Sequence, residues 1–112
     1  MLILFDQATP VPIRAYLEGH FVRTAAQQGW STLKNGDLLN AAEQAGFNLL
    51  LTTDKNMRYQ QNLSALKIAI VILGQQQWPQ LRPHVQRVVK AVEDSTPGSY
   101  TEVEIPKIAP AP

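Results

Sequence analysis

The chain has 112 residues, 45% of them hydrophobic, which suffices for one folded domain with one core. Ten Lys and Arg against nine Asp and Glu give a net charge of +1, and only 17% of the residues are charged. Eleven Gln and five Asn supply much of the remaining polarity, so acidic residues are scarce. The absence of Cys excludes disulfides, thiolate zinc sites and cysteine nucleophiles, and two His are too few for a three-histidine metal site.

The apolar segments are too short to cross a membrane. The longest run, residues 68–73, falls far below the length that spans a bilayer. The N-terminal run has no basic region before it and stops at Asp6, which is not typical of a signal peptide. We therefore expect a cytoplasmic protein with no membrane association. A net charge of +1 neither requires nor excludes a nucleic-acid partner.

The first half of the chain predicts two short strands, each followed by a short helix. The apolar run over 2–5 stops at Asp6, which is typical of a strand buried on both faces. Alternating residues predict a second strand over 20–24. The helices are predicted over 10–19, where two prolines suit a first turn, and over 25–29.

The second half of the chain alternates helices with strands, and its apolar, β-branched run over 68–73 is the strongest strand signal. Strands separated by helices favour a parallel sheet covered on both faces. The predicted fold class is α/β, a three-layer α/β/α sandwich with a small, mainly parallel central sheet. In chain order we predict a helix from Asp37 to Gly46, a strand over 47–53, helical turns over 55–61, the strand over 68–73, a helix over 79–93 and an edge strand over 99–105.

Three acidic residues are predicted to meet at one edge of this sheet. Asp6 ends the first strand and Asp54 follows the third, and ligands gather at the carboxyl ends of parallel strands. Asp37 opens the helix that leads into the third strand, so it starts near the same edge. A cation relieves the repulsion of such a cluster, and oxygen ligands suit Mg²⁺ or Mn²⁺. Structural interpretations stay open: Asp37 as a helix cap or first-turn acid, and Asp54 in an Asx turn.

The other polar and aromatic side chains have ordinary interpretations. Lys34, Lys55 and Arg58 lie near the predicted edge, where they could contact a phosphate backbone or simply aid solubility. We interpret the two histidines as structural or exposed and the two tryptophans as packing residues. The remaining acids are interpreted as solvated charge or, on the edge strand, as protection against pairing: Glu18, Glu43, Glu93, Asp94, Glu102 and Glu104.

Three short stretches also carry a family resemblance: Leu4-Phe5-Asp6, Asn35-Gly36-Asp37 and Leu51-Thr52-Thr53-Asp54-Lys55-Asn56. Over residues 1–95 their order and spacing resemble a bacterial family of small PIN-like proteins, related to the toxin ribonucleases of toxin–antitoxin pairs. We predict a single domain over 1–105, which the resemblance makes PIN-like, and a flexible Pro-rich tail over 106–112, which holds three of the eight prolines. The resemblance also implies that Asp6, Asp37 and Asp54 are the catalytic and metal-binding residues of a ribonuclease that hydrolyses RNA phosphodiesters with Mg²⁺ or Mn²⁺.

The same resemblance implies supporting roles and partners. Gln7, Lys55 and Asn56 match positions beside the acidic motif, and Lys34 and Arg58 are candidate RNA contacts. An antitoxin-like protein would be the partner of a toxin. The small size and exposed aromatic residues favour a homodimer.

The chain departs from the family pattern in two motifs. The family commonly reads Asp-Glu-Asn and Asp-Lys-Asp-Phe, where this chain reads Asp6-Gln7-Ala8 and Asp54-Lys55-Asn56-Met57. Two carboxylates are therefore amides, which would weaken a divalent-ion site but could still ligate through carbonyl oxygens. This leaves a catalytically degenerate PIN-like binding or assembly module as the alternative. A receiver-like phosphoacceptor fold is a third hypothesis, although it calls for two adjacent acids after the first strand and a lysine after the last.

Overall fold

Five short strands form one parallel sheet within residues 1–57 and 66–106, which this computed structural model describes. The strand order is β2-β1-β3-β4-β5, and every neighbouring pair is parallel. The predicted α/β class with a mainly parallel sheet is therefore confirmed. The strands are β1 (Leu2–Phe5), β2 (Phe21–Thr24), β3 (Leu49–Thr52), β4 (Ala69–Leu73) and β5 (Tyr100–Val103).

The helices cover both faces of this sheet. The α-helices are α1 (Asn35–Gln44), α2 (Trp78–Leu81) and α3 (Val85–Asp94), and 3₁₀ helices span Val11–Tyr16 and Arg82–His84. The single helix predicted over 79–93 is thus divided by a 3₁₀ turn at Pro83, whose ring removes a backbone donor from the helix interior. The predicted helix from Asp37 begins two residues earlier, at Asn35.

The helix predicted over 25–29 is wrong, because these residues form turns. Thr24 and Gln27 bond reciprocally, with the Gln27 N–H donating to Thr24 Oγ1 (3.1 Å) and the Thr24 N–H donating to Gln27 Oε1 (2.9 Å). Gly29 then takes a φ of 76°, which ends any helical course after one turn. The reciprocal Thr24–Gln27 pair is a capping-box arrangement, which starts one helical turn, and Gly29 ends that turn before a helix can continue.

Alternate residues of the central strands enter two separate hydrophobic cores, as the pleat requires. On one face, Ile3 and Phe5 pack with residues of the first 3₁₀ helix, α2 and α3. On the other face, Leu4 packs with residues of α1. Both faces of the central strands are therefore buried, which is compatible with the predicted three-layer arrangement and explains why β4 is apolar throughout and β3 is apolar up to Thr52.

A glycine lets the chain leave β4 close to β5. The Gly74 N–H donates to the Val103 carbonyl (3.0 Å), and a Cβ on Gly74 would lie 3.1 Å from that oxygen and 3.3 Å from the Ile105 nitrogen. Any side chain here would push the β5 backbone away. Gly74 therefore sets the path of the loop that follows β4.

Among the described residues, no helix is long and apolar enough to cross a membrane. The predicted helical turns over 55–61 lie mostly outside the described residues, as does all of the predicted tail except Pro106.

Candidate acidic site at the sheet edge

Two of the three predicted acids line one pocket at the carboxyl ends of β1 and β3. Asp6 follows β1 and Asp54 follows β3, and both face a cavity of about 200 Å³ that Lys34 also lines. The two strands are direct neighbours, with Phe5 paired to Leu51. The chain passes from β1 to β2 on one side of it and then crosses to β3 on the other side. The strand order therefore reverses between β1 and β3, which makes their carboxyl ends the switch point of the sheet. The pocket therefore lies where open parallel sheets bind their ligands.

Asp6 is held in place by a threonine three residues further along the chain. The Thr9 N–H donates to Asp6 Oδ1 (3.1 Å), and the Thr9 hydroxyl lies 2.7 Å from the same oxygen. That hydroxyl also lies 2.8 Å from the Leu51 carbonyl, and its single proton can serve only one of the two acceptors at a time. Thr9 is 3% exposed, so these bonds are shielded from water.

A second buried threonine connects the two acidic segments. The Thr52 hydroxyl donates to Asp6 Oδ2, and its oxygen accepts the backbone N–H of Asp54 (3.1 Å). Thr52 has 0% exposure. The ends of β1 and β3 are therefore joined by a side-chain bridge in addition to their backbone ladder.

Asp54 closes an Asx turn, as the structural interpretation of the sequence predicts. Its Oδ1 accepts the Asn56 N–H (2.9 Å), and its carbonyl accepts the Met57 N–H (3.2 Å). Met57 is 1% exposed and packs in the core below the pocket. The turn thus fixes the Asp54 backbone, while its partly buried side chain lines the pocket.

The structure does not bring Asp37 into this pocket. Asp37 is an exposed first-turn residue of α1, two positions after the helix start, and its N–H donates to the Lys34 carbonyl (3.0 Å). Lys34, at the cap position of α1, lines the pocket instead, as does the buried Leu38. Within residues 1–57 and 66–106, no three acidic, His or Cys residues form a group that could hold a metal ion.

The supporting positions divide between two places. Gln7 lines the acidic pocket with its exposed side chain. Asn56 contributes its backbone N–H to Asp54. Lys55 instead lines the neighbouring pockets towards β4 and β5. Arg58, a predicted RNA contact, lies outside the described residues.

Thr9 and Thr52 are the site residues that the sequence analysis missed. The signal for Thr52 was present, because a polar residue in a strand that is otherwise buried needs a hydrogen-bond partner nearby. The partner was predictable too, because Asp6 directly follows the neighbouring strand, β1. Thr9 gave no comparable signal, since its burial depends on how the loop after β1 folds back.

The carboxylates of this pocket leave limited but suitable room for a cation. A carboxylate offers about four acceptor positions, and protein donors lie at three of those on Asp6. On Asp54, one Oδ1 position is used, and within the described part of the chain Oδ2 forms no hydrogen bond. Each acid can therefore present at least one oxygen. Mg²⁺ commonly takes one or two carboxylates together with waters and substrate phosphates, so this donor set fits it.

Comparison with known proteins adds no relative to this picture: no protein-family model, curated protein or solved structure matches the chain.

Proposed function

We propose that the chain is a PIN-like, Mg²⁺- or Mn²⁺-dependent ribonuclease whose site is the pocket between β1 and β3. The observation that carries the proposal is that Asp6 and Asp54 line one cavity at the switch point of a parallel sheet, with Lys34 beside them. The motif resemblance in the sequence supports the same site. The finer fold assignment, PIN-like, is part of this proposal.

Asp6 would hold the cation through the remaining acceptor position of its Oδ2, and Asp54 through its Oδ2, which forms no hydrogen bond within the described residues. The Gln7 carbonyl oxygen could complete the set. When bound, the cation would activate a water and stabilise charge on the scissile phosphate and the leaving oxygen. Asp37 does not line the pocket, so in this proposal it is not a direct metal ligand, although the sequence predicts one.

The protein's own contribution is orientation and charge. Thr9 and Thr52 fix the Asp6 carboxylate by three hydrogen-bond contacts, which keeps its remaining lone pair aimed in one direction. Lys34 brings a positive charge to the wall of the pocket, where it can attract a phosphate. Among the described lining residues, the two carboxylates of Asp6 and Asp54 outnumber the one ammonium of Lys34, so the pocket carries a net negative charge. This charge favours a metal ion before the RNA arrives.

The test is cleavage of a labelled single-stranded RNA with Mg²⁺, with Mn²⁺ and with EDTA. Wild type should cleave only with metal, and Asp6→Asn should lower the rate at least a hundredfold, the scale typical for loss of a metal-activating or charge-stabilising group. Asp94→Asn, which changes an exposed acid on α3, is the matched control and should cleave like wild type. Equal cleavage by wild type and Asp6→Asn would contradict the proposal.

The second candidate is a catalytically degenerate PIN-like module that binds or assembles without cleaving. The observation favouring it is that the Asp6 carboxylate is already satisfied by Thr9 and Thr52, while Gln7 places an amide where a further acid would strengthen a metal site. Calorimetric titration with Mn²⁺ separates the two candidates. Micromolar binding that Asp54→Asn removes would count against a degenerate site.

The receiver-like hypothesis gains one observation and lacks the second acid that it calls for. Acids follow β1 and β3 in a sheet of order β2-β1-β3-β4-β5, which is an order found in doubly wound folds. Asp6 is followed by Gln7 and not by a second acid, and the lysine that follows β5 in the sequence, Lys107, lies outside the described residues. Stable labelling of an aspartate by acetyl phosphate would favour this hypothesis over the nuclease.

The cytoplasmic location, the toxin role, the antitoxin-like partner and the homodimer remain proposals that follow from the sequence. Two apolar side chains are notably open to solvent for a domain of this size: Phe21 is 77% exposed and Val11 is 52% exposed. They would suit burial against another chain. Sedimentation at several protein concentrations tests the homodimer, and a monomer at all concentrations would contradict it.

A further inference from the structure

A second polar groove lies at the carboxyl end of β4, outside the acidic pocket. It has a volume of about 460 Å³, within the range of small-molecule sites. Four glutamines dominate its lining, and among the described residues Lys55 is the charged one. We call it the amide groove, after the four glutamines that line it: Gln75, Gln76, Gln77 and Gln80.

Gln75 shapes this groove from within. Its Oε1 accepts the backbone N–H groups of Gln76 and Gln77 (both 3.0 Å), and its Nε2 donates to Gln80 Oε1 (3.0 Å). These bonds tie the loop after β4 to the start of α2. The loop is therefore held by a side-chain framework and does not depend on a ligand for its shape.

The other amides of the groove are available to a ligand. Within the described residues, the side chains of Gln76 and Gln77 and the Nε2 of Gln80 form no hydrogen bond. Gln76 and Gln77 are exposed. Each amide offers two donors and an acceptor, the combination with which Gln reads the edge of a base such as adenine.

Lys55 connects the amide groove to the acidic pocket. It lines the groove, and the residue before it, Asp54, lines the acidic pocket, with their Cα atoms about 3.8 Å apart as in any trans peptide. Lys55 is exposed and forms no ion pair within the described part of the chain. Its ammonium can therefore neutralise a phosphate that lies between the two pockets.

We propose that the amide groove is a base-binding subsite for single-stranded RNA, next to the scissile position and with Lys55 on the intervening phosphate. The groove combines uncharged hydrogen-bonding groups with one cation, which matches an uncharged base attached to an anionic backbone. Single-stranded RNA is the form whose base edges are free to enter such a groove. The inference rests on the proposed ribonuclease function and extends it to substrate preference.

The experiment measures binding without cleavage. Fluorescein-labelled oligoadenylate and oligouridylate of equal length are titrated with the full chain in EDTA, and fluorescence anisotropy gives the affinity. The double variant Gln76→Ala, Gln77→Ala should bind the preferred oligonucleotide about tenfold more weakly and lose the difference between the two, since a base contact is commonly worth about 1.4 kcal/mol. Gln86→Ala, an exposed glutamine on α3, is the matched control and should bind like wild type.

A second variant tests the role of Lys55. Lys55→Ala should weaken binding of both oligonucleotides alike and reduce the slope of log affinity against log salt by about 0.7, the value for one phosphate contact on a single strand. Thermal unfolding of each variant confirms that the fold is retained.

The outcomes separate this inference from the nuclease proposal. If cleavage depends on Asp6 but the Gln76, Gln77 double variant binds like wild type, the subsite is wrong and the nuclease stands. If the double variant loses binding but Asp6→Asn still cleaves fully, the acidic pocket is not the cleavage site, whereas the amide groove stands as an RNA-binding site. Wild type that binds neither oligonucleotide overturns the subsite.

Discussion

The hydroxyl of Thr52, at the carboxyl end of β3, donates a hydrogen bond to Oδ2 of Asp6, which directly follows β1. The same oxygen accepts the N–H of Asp54, so one buried hydroxyl touches both acidic segments. A shift of β3 against β1 would therefore change the orientation of the Asp6 carboxylate as well as the sheet register. Fold stability and site geometry are coupled through this residue.

Thr52→Val keeps the shape of the side chain but removes its hydroxyl. We expect the free energy of unfolding to fall by about 1–3 kcal/mol, the range for loss of a hydrogen bond to a charged group, and Mn²⁺ affinity to fall with it. Thr52→Ser should retain most of both. Urea unfolding and calorimetry measure the two effects, and Thr101→Val on β5 is the control. Equal losses at Thr52 and Thr101 would show that the bond to Asp6 has no special weight.

The two acids Asp37 and Asp54 should differ in their effect on metal binding. Asp54 lines the acidic pocket and Asp37 does not. We therefore expect Asp54→Asn to weaken Mn²⁺ binding at least tenfold, and Asp37→Asn to change it by less than a factor of about three, because carboxylate ligands govern affinity for hard cations. Calorimetric titration of the two variants under one buffer condition measures this. A larger loss in Asp37→Asn would restore the three-acid site that the sequence predicts.

The position of Asp6 and Asp54 at one edge of the sheet was predictable from the sequence, because apolar runs mark the strands and parallel strands end at the same edge. Apolar runs of three to five residues mark β1, β3 and β4. An acid directly after β1 and another two residues after β3 must lie at the same edge of a parallel sheet. The position of Asp37 depends on which face of α1 it occupies, and successive side chains on a helix are rotated by about 100°. An error of one residue in the helix register therefore moves an acid out of the pocket. Leu38 and Leu39 enter the core, and Asp37, one step before them, is exposed.

Long-range polar contacts were not predictable, since local sequence carries no record of a distant partner. Glu43 is the clearest example, because the sequence analysis interpreted it as solvated charge. Its two oxygens accept the backbone N–H groups of Lys67 (2.9 Å) and Ile68 (2.8 Å), where the chain enters β4. The sequence pattern of α1 places Glu43 near the end of the helix but does not identify its partners, which lie more than twenty residues further along the chain.

Glu43→Ala should therefore cost more than a surface substitution. We expect the free energy of unfolding to fall by about 2–4 kcal/mol, because two backbone donors lose a charged acceptor. Glu43→Gln, which keeps one oxygen, should lose about half as much. Chemical unfolding measures the change, and the exposed neighbour Gln44→Ala is the control. A change below about 0.5 kcal/mol in Glu43→Ala, the usual range for surface sites, would show that water replaces the carboxylate.

The free edge of β2 is covered by side chains. The outward-facing Val22 carbonyl accepts a hydrogen bond from the Arg14 guanidinium (2.9 Å), and the outward-facing Thr24 N–H donates to Gln27 Oε1 (2.9 Å). Arg14 also donates to Gln27 (3.3 Å), so the two covering side chains hold each other. Edge strands with unpaired backbone groups invite sheet-to-sheet association, and these two residues occupy those groups.

Removing that cover should promote self-association. In the double variant Arg14→Ala, Gln27→Ala, the edge of β2 presents free backbone groups beside Phe21, which is 77% exposed. We expect sedimentation velocity to show species larger than those of wild type at the same concentration, with the share of these species rising as the concentration rises. Arg82→Ala, which removes an exposed arginine near α2, controls for the lost charge and should sediment like wild type. If the double variant also sediments like wild type, then the charges and twist of the strand protect this edge without its side-chain cover.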